Sequence, residues 1–189
     1  MKKVILLVAA VMTMSVAANA QFNFGVKAGL NLANMTNSDG AKSLIGLNIG
    51  GLAQYKFEGS GFAVQPELLF SMQGAKASEG DGKSALNYIN VPIMLQYYVM
   101  PGLNVEAGPQ IGFLMSAKAK GGGESIDVKD GMNSVDFGIN VGAAYQLADM
   151  PLGFFARYNI GVSNLAKDLP DNVDGSKNSV FQIGAFWRF

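Results

Sequence analysis

From Phe22 to the final residue, Phe189, apolar side chains recur at every second position in run after run. The closing run, NSVFQIGAFWRF from Asn178 to Phe189, shows the pattern at its clearest. Phe181, Ile183, Ala185, Trp187 and Phe189 share one side of an extended chain. Gln182, Gly184 and Arg188 share the other, with Phe186 as an apolar intruder. Strand side chains alternate faces with period two, so this segment has one apolar face and one mostly polar or small face. An aromatic last residue preceded by alternating apolar residues has the form of a strand that closes an outer-membrane barrel, where assembly machinery is expected to read it. The last strand of a soluble sandwich alternates in the same way, so the rest of the chain decides.

The rest of the chain repeats the period, with no convincing helical spacing. Phe22 to Ala33 opens the series, followed by Leu44 to Phe57, Phe62 to Gly74 and Asn87 to Met100. Leu103 to Ala119, Ser134 to Leu147 and Phe154 to Asn164 precede the closing strand. The connections alternate long and short, and the short ones lie on the side of both chain ends. Asn34 to Lys42, Ala75 to Ala85, Lys120 to Asn133 and Leu165 to Lys177 are the long ones. An even strand number, short turns at one end and longer loops at the other describe a bacterial outer-membrane barrel. The expectation is an all-β, eight-stranded, antiparallel up-and-down transmembrane β-barrel.

The amino terminus points the same way. Lys2 and Lys3 precede an almost continuous apolar run from Val4 to Ala18, and Ala18-Asn19-Ala20 has the small-x-small form of a signal-peptidase site. Residues 1–20 are expected to be a signal peptide, and cleavage after Ala20 makes Gln21 the first mature residue. The apolar run is shorter than the ~20 residues a spanning helix needs, which argues for cleavage over anchoring.

Composition excludes several functions. The formal net charge is +0, so nothing suggests a nucleic-acid partner. There is no Cys and no His, which removes disulfides, a thiol nucleophile, the commonest metal ligand and the commonest general base. The sequence therefore argues against an enzyme and implies no cofactor. Gly80 to Ser84 resembles the end of a phosphate-binding loop, but Ala77 stands where its first Gly belongs. Asp171 to Gly175 resembles a calcium loop, but Pro170 and Phe181 occupy its first and twelfth ligand positions.

Alternation alone does not say which face is inside. A lipocalin-like soluble barrel turns apolar residues inward, and its outer face should then be rich in Lys and Glu. Here the non-apolar face is mostly Gly, Asn, Gln, Ser and Ala, which suits the crowded interior of a small barrel. Tyr55, Phe57, Tyr97, Tyr145, Phe154 and Trp187 cluster at turn-side strand ends, as an interfacial aromatic girdle would. On this reading Lys27, Lys56, Glu67, Glu106, Asp136, Arg157 and Arg188 point into the lumen. Most of them lie in the turn-side half of their strands, Asp136 excepted. Buried charges must pair or stay solvated, so the seven form either a salt-bridged plug or the lining of a thin water column.

The motifs NYINVPIMLQYY (Asn87 to Tyr98), GPQIGFLMSAK (Gly108 to Lys118) and DFGINVGAAYQL (Asp136 to Leu147) resemble the PorT-like outer-membrane β-barrel family. RYNIGVSNL (Arg157 to Leu165) and VFQIGAFWRF extend the likeness over the mature chain. The resemblance implies an outer-membrane barrel and leaves the activity open. The expected partners are outer-membrane lipid, barrel-assembly machinery, and a protein or surface ligand at the outer loops of a monomer. A structural, adhesive or transport- or secretion-accessory role competes with a narrow solute channel and with a periplasmic lipid-binding barrel.

Overall fold

The computed structural model describes residues 22–36, 42–77, 80–167 and 175–189. The expected cleavage site and the calcium-like stretch, whose residues 171–174 are not among these, lie outside or mostly outside the described residues. The strands are β1 (Phe22–Met35), β2 (Lys42–Lys56), β3 (Phe62–Lys76), β4 (Lys83–Met100) and β5 (Leu103–Gly121). They continue as β6 (Glu124–Asp127), β7 (Val135–Gln146), β8 (Leu152–Gly161) and β9 (Asn178–Arg188). The sheet runs β4-β3-β2-β1-β9-β8-β7-β5, and an additional β4–β5 pairing closes it into a ring of eight. Closure leaves no unpaired strand edge inside the ring, the condition for crossing hydrocarbon with strands. The short β6 is an arm folded back on the outer end of β5.

Three tight connections join β2–β3, β4–β5 and β7–β8 at the end where β1 starts and β9 stops. Gly102 takes φ +82 in the two-residue β4–β5 turn, a left-handed conformation that suits Gly there. At the opposite end the strands run further than their composition suggests. Residues 75–85 read as a polar loop, yet Ala75↔Ser84 and Lys76↔Lys83 continue the β3–β4 ladder. The stretch from Lys120 to Asn133 likewise holds the end of β5, the β6 arm and a 3-10 turn, Lys129–Gly131. Ladder hydrogen bonds satisfy the backbone above the membrane as well as within it, so polar side chains do not end a strand.

The polarity is that of a membrane barrel. Outward-facing Leu47, Ile49, Ile93, Leu95, Ile139 and Ile183 are about half-exposed, whereas Asn31, Gln54, Ser71, Gln96 and Asn140 are fully buried. Water would make such an apolar exterior an aggregation surface; lipid makes it the stable one. A soluble lipid-binding barrel requires the reverse. The girdle is assembled at the turn end, with ring centroids 4.9 Å apart for Phe22–Tyr55, 5.1 Å for Tyr55–Phe57 and 4.9 Å for Phe62–Tyr97.

The interior is tightly filled. A side chain at Gly153 would land on the Phe186 ring, so that position is restricted to Gly by packing. The inner face is also less polar than the alternation suggests. Leu52, Ala144, Phe155 and Phe186 form an apolar cluster near the turn end. Leu86, Tyr88, Leu114, Ala117 and Leu165 form a second at the outer mouth, packed against Met35, Val128 and Met132.

Candidate functional site

The lumen holds the chemistry of this chain. Four charged side chains meet there, each on a different strand. Arg157 on β8 donates from Nη1 to Glu67 Oε2 at 3.0 Å and from Nη2 to Glu67 Oε1 at 2.8 Å, a bidentate fork. Its Nε and Nη2 also donate to Glu106 Oε1 on β5, at 2.9 and 2.7 Å. Lys27 on β1 donates to both oxygens of Glu67, at 3.1 and 3.3 Å. All four side chains are essentially removed from solvent.

Strand order explains what the cluster does mechanically. In the ring of eight, β3 and β8 lie four strands apart, as do β1 and β5. Arg157 therefore reaches across the full width of the lumen to Glu67, and Glu106 enters from the wall opposite Lys27. Two cations face two anions, so the network is neutral. That balance is what allows four charges to persist without bulk water. Phe155 supplies a further surface: the Lys27 ammonium sits 3.8 Å from its ring centroid, a cation–π contact.

Amides extend the network toward the turn end. Gln65 donates to Glu67 at 2.8 Å and Gln96 to Glu106 at 2.9 Å. Gln54 donates to Gln96 at 2.5 Å and to the Tyr98 hydroxyl at 3.0 Å. Arg188 on β9 closes this lower layer, donating to Gln146 at 2.6 Å, Gln65 at 3.1 Å and Tyr98 at 3.4 Å. Its guanidinium also stacks 4.5 Å from the Phe186 ring.

The seven charges assigned to the lumen by alternation thus separate into groups. Lys27, Glu67, Glu106 and Arg157 are brought together. Arg188 is buried just below them on neutral partners. Asp136 is buried nearer the outer mouth, where it accepts from Ser163 at 2.5 Å and Asn178 at 2.8 Å. Lys56 keeps the inward parity but stands at the turn-side rim: it is exposed at the last residue of β2, with its ammonium 4.7 Å from the Tyr98 ring. A lysine at a strand end extends its stem toward water while its head stays over the lumen rim.

Sequence reasoning missed the aromatic floor and the outer cap. Phe155 shares parity with Arg157, and Tyr88 with Asn90, so period two did carry a signal for both. Nothing in the sequence marks Leu165, which enters the mouth because two loops are stitched together. Asn133 donates its backbone N–H to Leu165 O at 2.8 Å and its side chain to Asn164 O at 2.8 Å, while Lys167 N–H reaches Gly131 O at 3.0 Å.

In the closing strand, Phe181, Ile183 and Trp187 face outward, Ala185 is half-buried on the same face, and Phe189 is 77% exposed. The backbone N–H of Phe189 donates to Phe24 O at 2.7 Å, fastening the chain end to β1.

A closed eight-stranded ring with lipid-facing apolar walls and a charged, filled lumen defines a bacterial outer-membrane β-barrel. The family model described as an outer membrane protein beta-barrel domain matches residues 17–167, and the chain belongs to that family. The chain thus resides in the bacterial outer membrane. No curated protein matches the sequence. Among solved structures it is similar to Ail, the attachment invasion locus protein of Yersinia pestis, with TM-score 0.55 and 16% identity over 91% of this chain and 100% of that one. It is also similar to Neisserial surface protein A, with TM-score 0.56 and 13% identity over 90% of this chain and 98% of that one. Ail has also been solved with the heparin analogue sucrose octasulfate, and that structure matches with TM-score 0.52, 16% identity and the same 91% and 100% coverage. At these identities the likeness is one of fold.

Proposed function

We propose that this chain is a plugged, monomeric barrel whose work is done at its outer face, in a structural, adhesive or secretion-accessory role, without enzymatic activity. The observation that carries the reading is Arg157 crossing the lumen to Glu67 while binding Glu106. A cation held by four charge-assisted bonds is not displaced by a passing solute. The apolar clusters above and below that layer add to the block. Loops carry function on a rigid scaffold, and the stitched loops over the outer mouth are the surface offered to a partner. The motifs of β4 and β5 resemble those of PorT-like barrels, which supports a secretion-accessory role, and Ail supplies the precedent of a polyanion bound by a barrel of this fold.

Solute flux tests this directly. Liposomes carrying the refolded protein are expected to swell in small sugars or amino acids no faster than empty liposomes. Swelling at a porin-like rate would favour the narrow-channel reading.

The closing strand serves assembly in this proposal, with Phe181, Ile183, Ala185, Trp187 and Phe189 as the signal and residues 1–20 as the cleaved leader. Deleting Phe189 is expected to cut the folded protein recovered from bacterial outer membranes several-fold. Refolding of the same variant from urea into detergent should be nearly unchanged. Equal recovery in membranes would remove the assembly role.

A further inference from the structure

Above the lipid-facing band, four lysines stand in one row across four strands. The register pairs Lys42 with Lys76, Lys76 with Lys83, and Lys83 with Lys120. Directly paired residues share a face, so all four project from the outer wall of the barrel rather than into the mouth. All four are exposed. Strand spacing makes the row roughly 14 Å long. Like charges placed directly opposite one another across a ladder destabilise it, and here three such pairs follow in succession. Among the described residues, no carboxylate lies within ion-pair distance of any of the four.

The neighbouring residues sharpen the contrast. Lys118, two positions nearer the membrane, has Asp127 as its register partner on β6. Lys120 has Ser125 there. A pocket of about 370 Å³ opens beside Lys42, Lys76 and Lys83, and is completed by Ala77, Gly80, Asp81 and Gly82. The Asp81 carboxylate is already engaged, accepting the Gly122 N–H at 3.1 Å through both oxygens.

We infer that this row binds the phosphate groups of an outer-leaflet glycolipid. Position selects the lipid over a soluble polyanion. The lysines follow the last lipid-facing apolar residues, Ile45, Met72, Ile89 and Met115, by three to six residues on the same wall. That distance is about 10–20 Å of strand, the level of a saccharide headgroup beside the barrel. Flexible ammonium stems there meet phosphate as point charges, each adding favourably to surface binding. The charge conflict within the ladder is relieved by the same ligand.

The test compares wild type with the fourfold variant Lys42→Gln, Lys76→Gln, Lys83→Gln and Lys120→Gln, each refolded into vesicles. One set is phosphatidylcholine alone, one adds lipopolysaccharide, and one adds the same glycolipid after enzymatic dephosphorylation. In phosphatidylcholine alone the variant should unfold at the same or a higher temperature, because repulsion has been removed; this also shows that it folds. Phosphorylated glycolipid should raise the wild-type midpoint by several degrees and leave the variant nearly unmoved, because a ligand stabilises only the state that binds it. Dephosphorylated glycolipid should raise neither. Equal rises for wild type and variant would overturn the inference, as would an undiminished rise without phosphate. A comparable wild-type rise with soluble heparin oligosaccharide in phosphatidylcholine alone would also overturn it, by assigning the row to a soluble polyanion.

Discussion

Replacing Arg157 with alanine is expected to lower the stability of the refolded barrel by about 3–5 kcal/mol, the cost of breaking a buried pair on one side. The loss comes less from the bonds removed than from what remains. Glu67 and Glu106 would stay buried with Lys27 as the one cation bonded to either of them, and Lys27 reaches Glu67 but has no hydrogen bond to Glu106. Urea unfolding in lipid vesicles, followed by the fluorescence of Trp187, measures it; the chain has one Trp. The charges carry the cost, so removing all of them should recover much of it. The combination Lys27→Met, Glu67→Gln, Glu106→Gln and Arg157→Met is expected to be closer to wild type than Arg157→Ala alone, because an apolar or neutral replacement of a whole buried network is often tolerated. A single variant indistinguishable from wild type would mean that solvent reaches the glutamates.

The second large effect tests which face meets lipid. Ile183→Arg is expected to cost about 2–4 kcal/mol, the range for Arg near the bilayer midplane of a barrel. Ile183 is 50% exposed in the protein alone, and its register neighbours are Leu30 and Ala156. It stands four residues from the girdle residue Trp187, roughly 10 Å along the membrane normal for a tilted strand. Phe189→Arg, at the end of the same face, should cost no more than about 1 kcal/mol, because substitution cost falls toward the interface. In water both changes would be nearly neutral. The gradient between them therefore reports the membrane itself, by the same urea titration.

Much of this arrangement is readable from the chain because period two is a rigid rule. Once Arg157 is assigned to the inside, parity carries Glu67, Glu106 and Lys27 there as well, and the small residues beside them leave room. What parity does not give is height along the barrel axis. Asp136 and Arg157 share a face, yet one belongs to the outer mouth and the other to the central cross, because antiparallel register and stagger set the level. Nor does parity give partners. That Arg157 meets Glu67 on the far wall follows from closing the ring at eight, a property of the whole sheet.

Composition misled where it substituted for pattern. The Gly- and Ser-rich residues 75–85 resemble a loop, but the β3–β4 ladder runs through much of the stretch and sets up the lysine row. Phe155 and Phe186 break the polar alternation and look like exceptions. In the barrel they are the floor beneath the charges, with Lys27 over one ring and Arg188 over the other. The outer cap was the least legible part, since Leu165, Val128 and Met132 come from connections without a period.

Single-channel recording of the refolded mature protein in a planar bilayer tests the plug most directly. A barrel crossed by the Lys27–Glu67–Arg157–Glu106 network should insert and stay electrically silent, while Arg157→Ala admits ions. Steady, salt-dependent openings in the wild-type protein would contradict the plugged barrel and make the same four side chains the selectivity elements of a narrow pore.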